Sequence, residues 1–168
     1  MARFLITMKN TGLFLIFVTI LGVMILNSTP CSAVEFTVDT LVDTPDLDPG
    51  DGFCQDNQGN CSLRAAIEET NIWGGADSIV LPAGTYAINA FLVVTDHLLI
   101  SGESPQTTIL DAGGKVDTTT AIIHACVTPN VEIERLALAN NTGHNGGGAF
   151  VCSGTELRLT EVEVRHNT

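Results

Sequence analysis

The chain repeats itself near its end. HACVTPNVEIERLALANNT, residues 124–142, aligns without a gap on FVCSGTELRLTEVEVRHNT, residues 150–168, at a constant offset of 26. Cys126 falls on Cys152, Val131 on Leu157, Ile133 on Leu159, Leu136 on Val162, Leu138 on Val164 and Asn141 on Asn167. Each copy holds two short runs of alternating apolar and polar residues, parted by a two-residue corner and closed by Asn-Thr. Alternation with period two marks a strand that buries one face. A short internal period means that one repeat cannot bury its apolar face alone and stacks on its neighbours. One coil of a parallel β-helix has this form, its inward residues stacking from coil to coil into one core.

The outward positions fit such stacking. Glu132 is expected beside Arg158 and Arg135 beside Glu161, exposed pairs worth roughly 0.2–1 kcal/mol each. Asn141 and Asn167 are expected to form a structural ladder, hydrogen-bonding along one corner. Upstream, SIVL, YAI, LLISG (98–102) and TTILDAGG (107–114) read as earlier, less regular coils, giving about four coils over residues 76–168. At His166-Asn167-Thr168 the repeat register expects another coil, so the coils are predicted to be incomplete at the C-terminus.

Residues 1–33 read differently. Arg3 and Lys9 form a basic start, LFLIFVTILGVMIL (13–26) is an uncharged apolar core, and Pro30 with Cys31-Ser32-Ala33 offers a small-x-small cleavage site after Ala33. This is the three-part layout of a secretory signal peptide, with a core short for a membrane span; an uncleaved anchor is the alternative. Cleavage leaves residues 34–168, an ordinary length for one domain. The formal net charge is −12, and the cut removes two of the seven Lys and Arg, so the remainder is more acidic still. A nucleic-acid partner is disfavoured, because phosphate binding needs clustered cations. No second apolar run is long enough to span a membrane. In an exported chain the four remaining cysteines point to disulfides, with three pairings possible. Cys54 and Cys61 enclose the polar, turn-forming QDNQGN, and a local bridge between them is the preferred reading.

The stretch CSLRAAIEETN, Cys61 to Asn71, is the one helical pattern in a strand-rich chain. Ser62 suits the N-cap, with Leu63, Ala66, Ile67 and Thr70 on one face and Glu68 and Glu69 outward. So short a helix needs an apolar surface to lie on. Ahead of it FTVDTLV (36–42) alternates as a strand, and an acidic loop follows with Asp46, Asp48 and Asp51 among Pro45, Pro49, Gly50 and Gly52. Strand, acidic Gly-rich loop with a cysteine, Cys-Ser-Leu-Arg helix and then ADSIVLPAGTY (76–86) together resemble the CSLREA-type N-terminal module of bacterial surface proteins. In that family the module heads a right-handed parallel β-helix. Ala65 stands where the family motif has Glu, so the reciprocal Ser–Glu capping box is missing. LLISGESPQTTILDAGG also resembles the leading coils of pectate-lyase-like β-helices, and NGGGAF (145–150) is similar to the GGA-type repeats of polymorphic outer-membrane proteins.

These readings combine into one expectation: an all-β chain, a right-handed parallel β-helix (solenoid) with a short N-terminal capping α-helix. The domains are a signal peptide 1–33, a cap 34–75 and coils 76–168. The helix would cover the first coil, whose unpaired backbone edge invites aggregation.

Chemistry is sparse. The D-x-D-x-G-D-G loop could supply Asp46, Asp48 and Asp51 to calcium, or be a solvated acidic turn. Elimination next to a uronate needs a base and a metal, and hydrolysis needs two carboxyl groups at a set distance. Thr95-Asp96-His97 and Thr142-Gly143-His144 are the only suggestive fragments, and no catalytic residue is assigned. Cys126 and Cys152, one coil apart, would bring their Cα atoms to about 4.8 Å, within reach of a bridge; a buried thiol stack is the alternative. With no His seen near them, a zinc site is not expected. The resemblance implies a secreted or surface-located protein contacting extracellular glycans or cell-surface components, with no cofactor beyond the calcium alternative. A polysaccharide lyase or glycoside hydrolase of the pectate-lyase-like type is the second possibility.

Overall fold

The computed structural model describes residues 32–114, 121–127, 130–142 and 147–167. Of the expected signal peptide only Ser32 and Ala33 fall within these, and Gly143, His144, Asn145 and Gly146 lie outside them. The elements are β1 (Glu35–Thr37), α1 (Leu63–Thr70), β2 (Ala76–Val80), β3 (Gly84–Ala87), β4 (Leu92–Val94), β5 (His97–Ser101), β6 (Thr108–Asp111), β7 (Ile123–Ala125), β8 (Asn130–Ala139), β9 (Ala149–Val151) and β10 (Glu156–Arg165). The chain is mostly β. Every strand pairing among the described residues is parallel.

Parallel neighbours require a crossover between them, and here the crossover contains strands. β2 pairs with β5, β3 with β6 and β4 with β7, each strand skipping the two that follow it. β8 is long enough to serve two stacks at once. Its first half lies on β5, with Leu98 opposite Val131 and Ile100 opposite Ile133. Its second half lies on β6, with Ile109 opposite Ala137 and Leu110 opposite Leu138. Sharing β8 makes one seven-stranded sheet of the first two stacks, while β4, β7 and β9 form a separate three-stranded sheet.

The offset read from the sequence is the pairing register. β10 lies along β8 with Leu157 opposite Val131, Leu159 opposite Ile133, Val162 opposite Leu136 and Val164 opposite Leu138. β9 lies on β7 in the same register. Both long strands bend at matched places: Arg135 and Glu161 have φ of 55° and 54°, and Asn140 and His166 have φ of 60° and 55°. A left-handed backbone costs an L-residue on the order of 1 kcal/mol. Its recurrence in unlike residues shows that the corner belongs to the fold rather than to the local sequence.

The core follows the columns. Ile79, Ile100 and Ile133 line up across β2, β5 and β8, and Tyr86, Leu110 and Leu138 across β3, β6 and β8; all six are buried. Each buried side chain of this size contributes roughly 1.5–3 kcal/mol. Packing is tight enough to require glycine at Gly148, where a Cβ would come within 2.9 Å of Leu138 Cβ.

Several expectations change. The first strand ends at Thr37 rather than Val42, because the chain then follows other partners: Asp39 N–H donates to Cys61 O, and Leu41 O accepts from Ala87 N–H. Glu132 and Arg158 are register partners, yet no ion pair joins them among the described residues. Arg135 forms no ion pair with Glu161 among the described residues. It bonds Glu134 at 2.6 Å, donates to Gly102 O at 3.1 Å and reaches Ser101 Oγ, turned that way by its left-handed backbone.

Candidate functional site

Helix α1 is built as the sequence suggests at its start. Ser62 Oγ accepts from Ala65 N–H at 3.0 Å and donates to Thr44 O at 2.5 Å. Ala65 is fully buried. Leu63, Ala66, Ile67 and Thr70 form the buried face. The glutamates correct the expectation that they point outward. Glu69 is fully buried, and its carboxylate accepts from Gly50 N–H at 2.5 Å, from Gly52 N–H and from Trp73 Nε1–H at 2.9 Å. Glu68 accepts from Asp46 N–H at 2.8 Å. The glycine-rich loop thus wraps its amides around the helix carboxylates. Both glycines sit at positive φ, 97° and 90°, which turns those amides inward.

Two of the three suggested calcium ligands accept from amides of this loop. Asp46 is buried and accepts from Asp48 N–H at 2.9 Å and Gln55 N–H at 3.0 Å. Asp51 accepts from Phe53 N–H at 2.8 Å. Asp46, Asp48 and Asp51 do not converge as a cation cluster among the described residues. Asp56, inside the Cys54–Cys61 loop, accepts from Asn60, Gln58 and Thr44. The Asn60 amide above all holds its carboxyl below the ordinary carboxylate range, against the opposing effect of burial. Cys54 and Cys61 are joined as a disulfide with Cα atoms 5.0 Å apart.

Three contacts cover the leading strand of each stack. β1 pairs with β2. Leu41 O takes the Ala87 amide of β3. Asn71, the residue that ends α1, donates through Nδ2 to Val93 O at 2.8 Å and accepts from Thr95 N–H at 2.7 Å, acting as a neighbouring strand for β4. Arg64, which the sequence reading left without a role, clamps this arrangement. It grips both oxygens of Asp43 at 2.7 and 2.9 Å and donates to Ala90 O and Phe91 O.

An open groove of about 710 Å³ runs across the starts of β2, β5, β8 and β10, and carries His97, Glu132, Glu156 and Arg158. His97 Nδ1 accepts from Asn130 N–H at 2.9 Å, and Asp96 accepts from His97 N–H and Gly75 N–H. The Thr95-Asp96-His97 fragment is therefore engaged with backbone. Asp77 lines the groove too but is 1% exposed, beyond the reach of a substrate.

On the three-stranded sheet Cys126 and Cys152 are bridged, with Cα atoms 4.7 Å apart. His124, two residues along the same strand face, brings Nε2 to 3.2 Å of Cys126 Sγ and lies between the rings of Phe91 and Phe150. The expectation that no His stands near these sulfurs is corrected. Strand periodicity shows it: positions two apart share a face. The bridge occupies both sulfurs, and a thiolate is what a metal would need. At the corner, Asn167 Oδ1 accepts from Asn141 N–H at 2.8 Å and Asn167 Nδ2 donates to Leu138 O, while Asn141 Nδ2 donates to Gly147 O. These asparagines bind backbone across the repeats.

Two disulfides fit an oxidising compartment. Among the described residues no helix is long and apolar enough to cross a membrane. Comparison with protein-family models, with curated proteins and with solved structures finds no match to this chain.

Proposed function

We propose that this chain is an exported right-handed parallel β-helix with a CSLREA-type cap, and that its outer faces contact extracellular glycans or cell-surface components without chemistry of their own. The observation that carries the reading is the constant register of 26 in two separate sheets, joined to pairing that skips two strands each time. Three stacks advancing together are what one chain produces by winding repeatedly around one core. Right-handedness is supported by the resemblance at residues 36–86 and by the strong general preference of parallel crossovers. The coverage of β2, β3 and β4 by β1, Leu41 and Asn71 supports the cap.

The groove supports contact rather than cleavage. Its exposed groups mix carboxylates with Arg158 and an imidazole, a surface suited to sugar hydroxyls. The runner-up, a polysaccharide lyase or glycoside hydrolase, draws on Glu132, Glu156 and His97 sharing that groove. The charge of the chain weighs against polyuronate substrates, which the summed negative field repels.

The test is retention of the exported protein on insoluble neutral, amino-sugar and uronate polysaccharides, with the soluble fraction assayed for new reducing ends and unsaturated uronates. Retention that falls in Glu132→Ala and Arg158→Ala, with no product, is expected. Product release that is lost in Glu156→Gln would establish the enzyme instead.

A further inference from the structure

The first described strand holds a contact that is incomplete as the uncut chain presents it. Val34 N–H donates to Asp77 Oδ1 at 2.9 Å across 43 residues. Asp77 is 1% exposed, and its second oxygen, Oδ2, is buried with no hydrogen-bond partner. Buried carboxylates are stable when paired or fully hydrogen-bonded. Burial, and more weakly the nearby Asp96 carboxylate, push the Asp77 carboxyl above its ordinary range, and the single Val34 N–H offsets this only in part. Asp77 and Asp96 thus bring two negative charges near each other, and neither is in an ion pair among the described residues. Asp77 Oδ2 is an acceptor that a further donor beside Val34 N would satisfy.

Val34 is also the residue that cleavage after Ala33 would place first in the chain. We propose that signal-peptide removal completes this contact: the new α-ammonium of Val34 takes Asp77 as its counter-ion and locks β1 onto β2. The inference rests on the export reading above. Hydrolysis of the Ala33–Val34 peptide by a membrane signal peptidase consumes one water. It leaves a carboxylate on Ala33 and an amine on Val34, which holds the released proton at neutral pH. One amide N–H becomes three N–H donors at the same place, enough to serve both Asp77 oxygens. Little rearrangement is required, since Val34 O already accepts from Ser78 N–H at 2.9 Å and Glu35 is already in register with Ser78. Ser32 and Ala33 are exposed while Val34 is half-buried.

The test expresses the full 168-residue chain in a bacterial host that exports it, then reads the N-terminus of the product by sequencing and intact mass. The α-amine is next labelled with trace acetic anhydride near pH 7, with Lys115, the only lysine after the cut, as internal reference. A paired amine has a pKa raised from its usual ~8, and one unit slows labelling about tenfold. The expected result is a product beginning at Val34 whose amine reacts about tenfold more slowly than in Asp77→Asn. A second variant carries Gly-Ser inserted between Ala33 and Val34. It keeps Asp77 and moves the amine away, so fast labelling there answers the question even if Asp77→Asn folds poorly. Cleavage after Ala33 with equal labelling in all three proteins overturns the ion pair while export stands. An exported product beginning elsewhere also overturns it. Retention of residues 1–33 on unexported protein overturns the export reading, and this inference with it.

Discussion

Glu69 is the residue on which the acidic loop depends. Its buried carboxylate satisfies Gly50, Gly52 and the Trp73 indole together, and a hydrogen bond to a charged group contributes about 1.5–3 kcal/mol. Glu69→Ala is therefore expected to lower stability by about 3 kcal/mol in urea denaturation, with Glu69→Gln losing less because one acceptor oxygen stays. Trp73 is the chain's single tryptophan, so its fluorescence reports the loop directly and should shift in both variants before global unfolding. Asp56 makes a prediction of a different kind. Its folded pKa lies below the ordinary 3.8, chiefly through the Asn60 amide. Its contribution is then fully present above pH ~3.8 and is lost as pH falls through the lower folded value. Stability curves of the native chain and Asp56→Ala should accordingly lie apart at neutral pH and converge in that acid window; curves that stay parallel to lower pH would remove Asp56 as the cause. At this scale the sequence spoke clearly for Ser62, because an N-cap is a local matter of three residues. It misled for Glu69. A helical face says which side chains avoid the apolar stripe, but not that a remote glycine loop folds back to bury one of them. Arg64 escaped notice for the same reason, as its partners Asp43, Ala90 and Phe91 are far away in the chain.

Elements that recur were legible, and elements that occur as fragments were not. β8 and β10 each hold two alternating runs, and their spacing gave the pairing register before any coordinate. β4 and β7 are three residues long, too short to carry a period, and exist because a neighbour with free backbone groups lies beside them. For β4 one of those neighbours is a side chain. Asn71→Ala removes both of its bonds to Val93 and Thr95 and is expected to cost about 1–2 kcal/mol. Hydrogen exchange should quicken at the Thr95 amide while the β5 and β8 amides keep their protection. The corners give the opposite sign. Glu161 is exposed and sits at φ 54°, a conformation that asparagine tolerates better than glutamate. Glu161→Asn is expected to stabilise by about 0.5 kcal/mol, read as a small rise in thermal midpoint. Arg135→Asn, at the matching corner, should not gain in the same way, because it forfeits the bonds to Ser101, Gly102 and Glu134.

At the scale of the molecule, the β-helix proposed above implies that stacked repeats touch only their neighbours, so that stability is a sum of nearest-neighbour terms rather than one global quantity. The two disulfides sit at different places in that sum. Cys54–Cys61 closes a short loop beside α1, whereas Cys126–Cys152 ties together residues 26 apart, one full repeat. That second bridge holds β9 and β10, where burial is thinnest: Phe150, Val151, Leu159 and Val164 are all more than a third exposed. With less apolar area at stake there, the covalent tie supplies a larger share of what keeps this repeat in register. Its loop length corresponds to about 3 kcal/mol of unfolded-state entropy. Replacing both cysteines, Cys126→Ser with Cys152→Ser, is therefore expected to act locally. Amides of β9 and β10 should exchange at least a hundredfold faster, a factor that ~3 kcal/mol comfortably allows. Amides of β2, β5 and α1 should hardly change, because no repeat between them has lost a contact. Removing Cys54 and Cys61 should invert the pattern, loosening the loop around Glu69 and leaving β10 as it was. A uniform rise across all strands in either variant would mean that the stacks unfold as one cooperative unit, and the nearest-neighbour description would then fail for this chain.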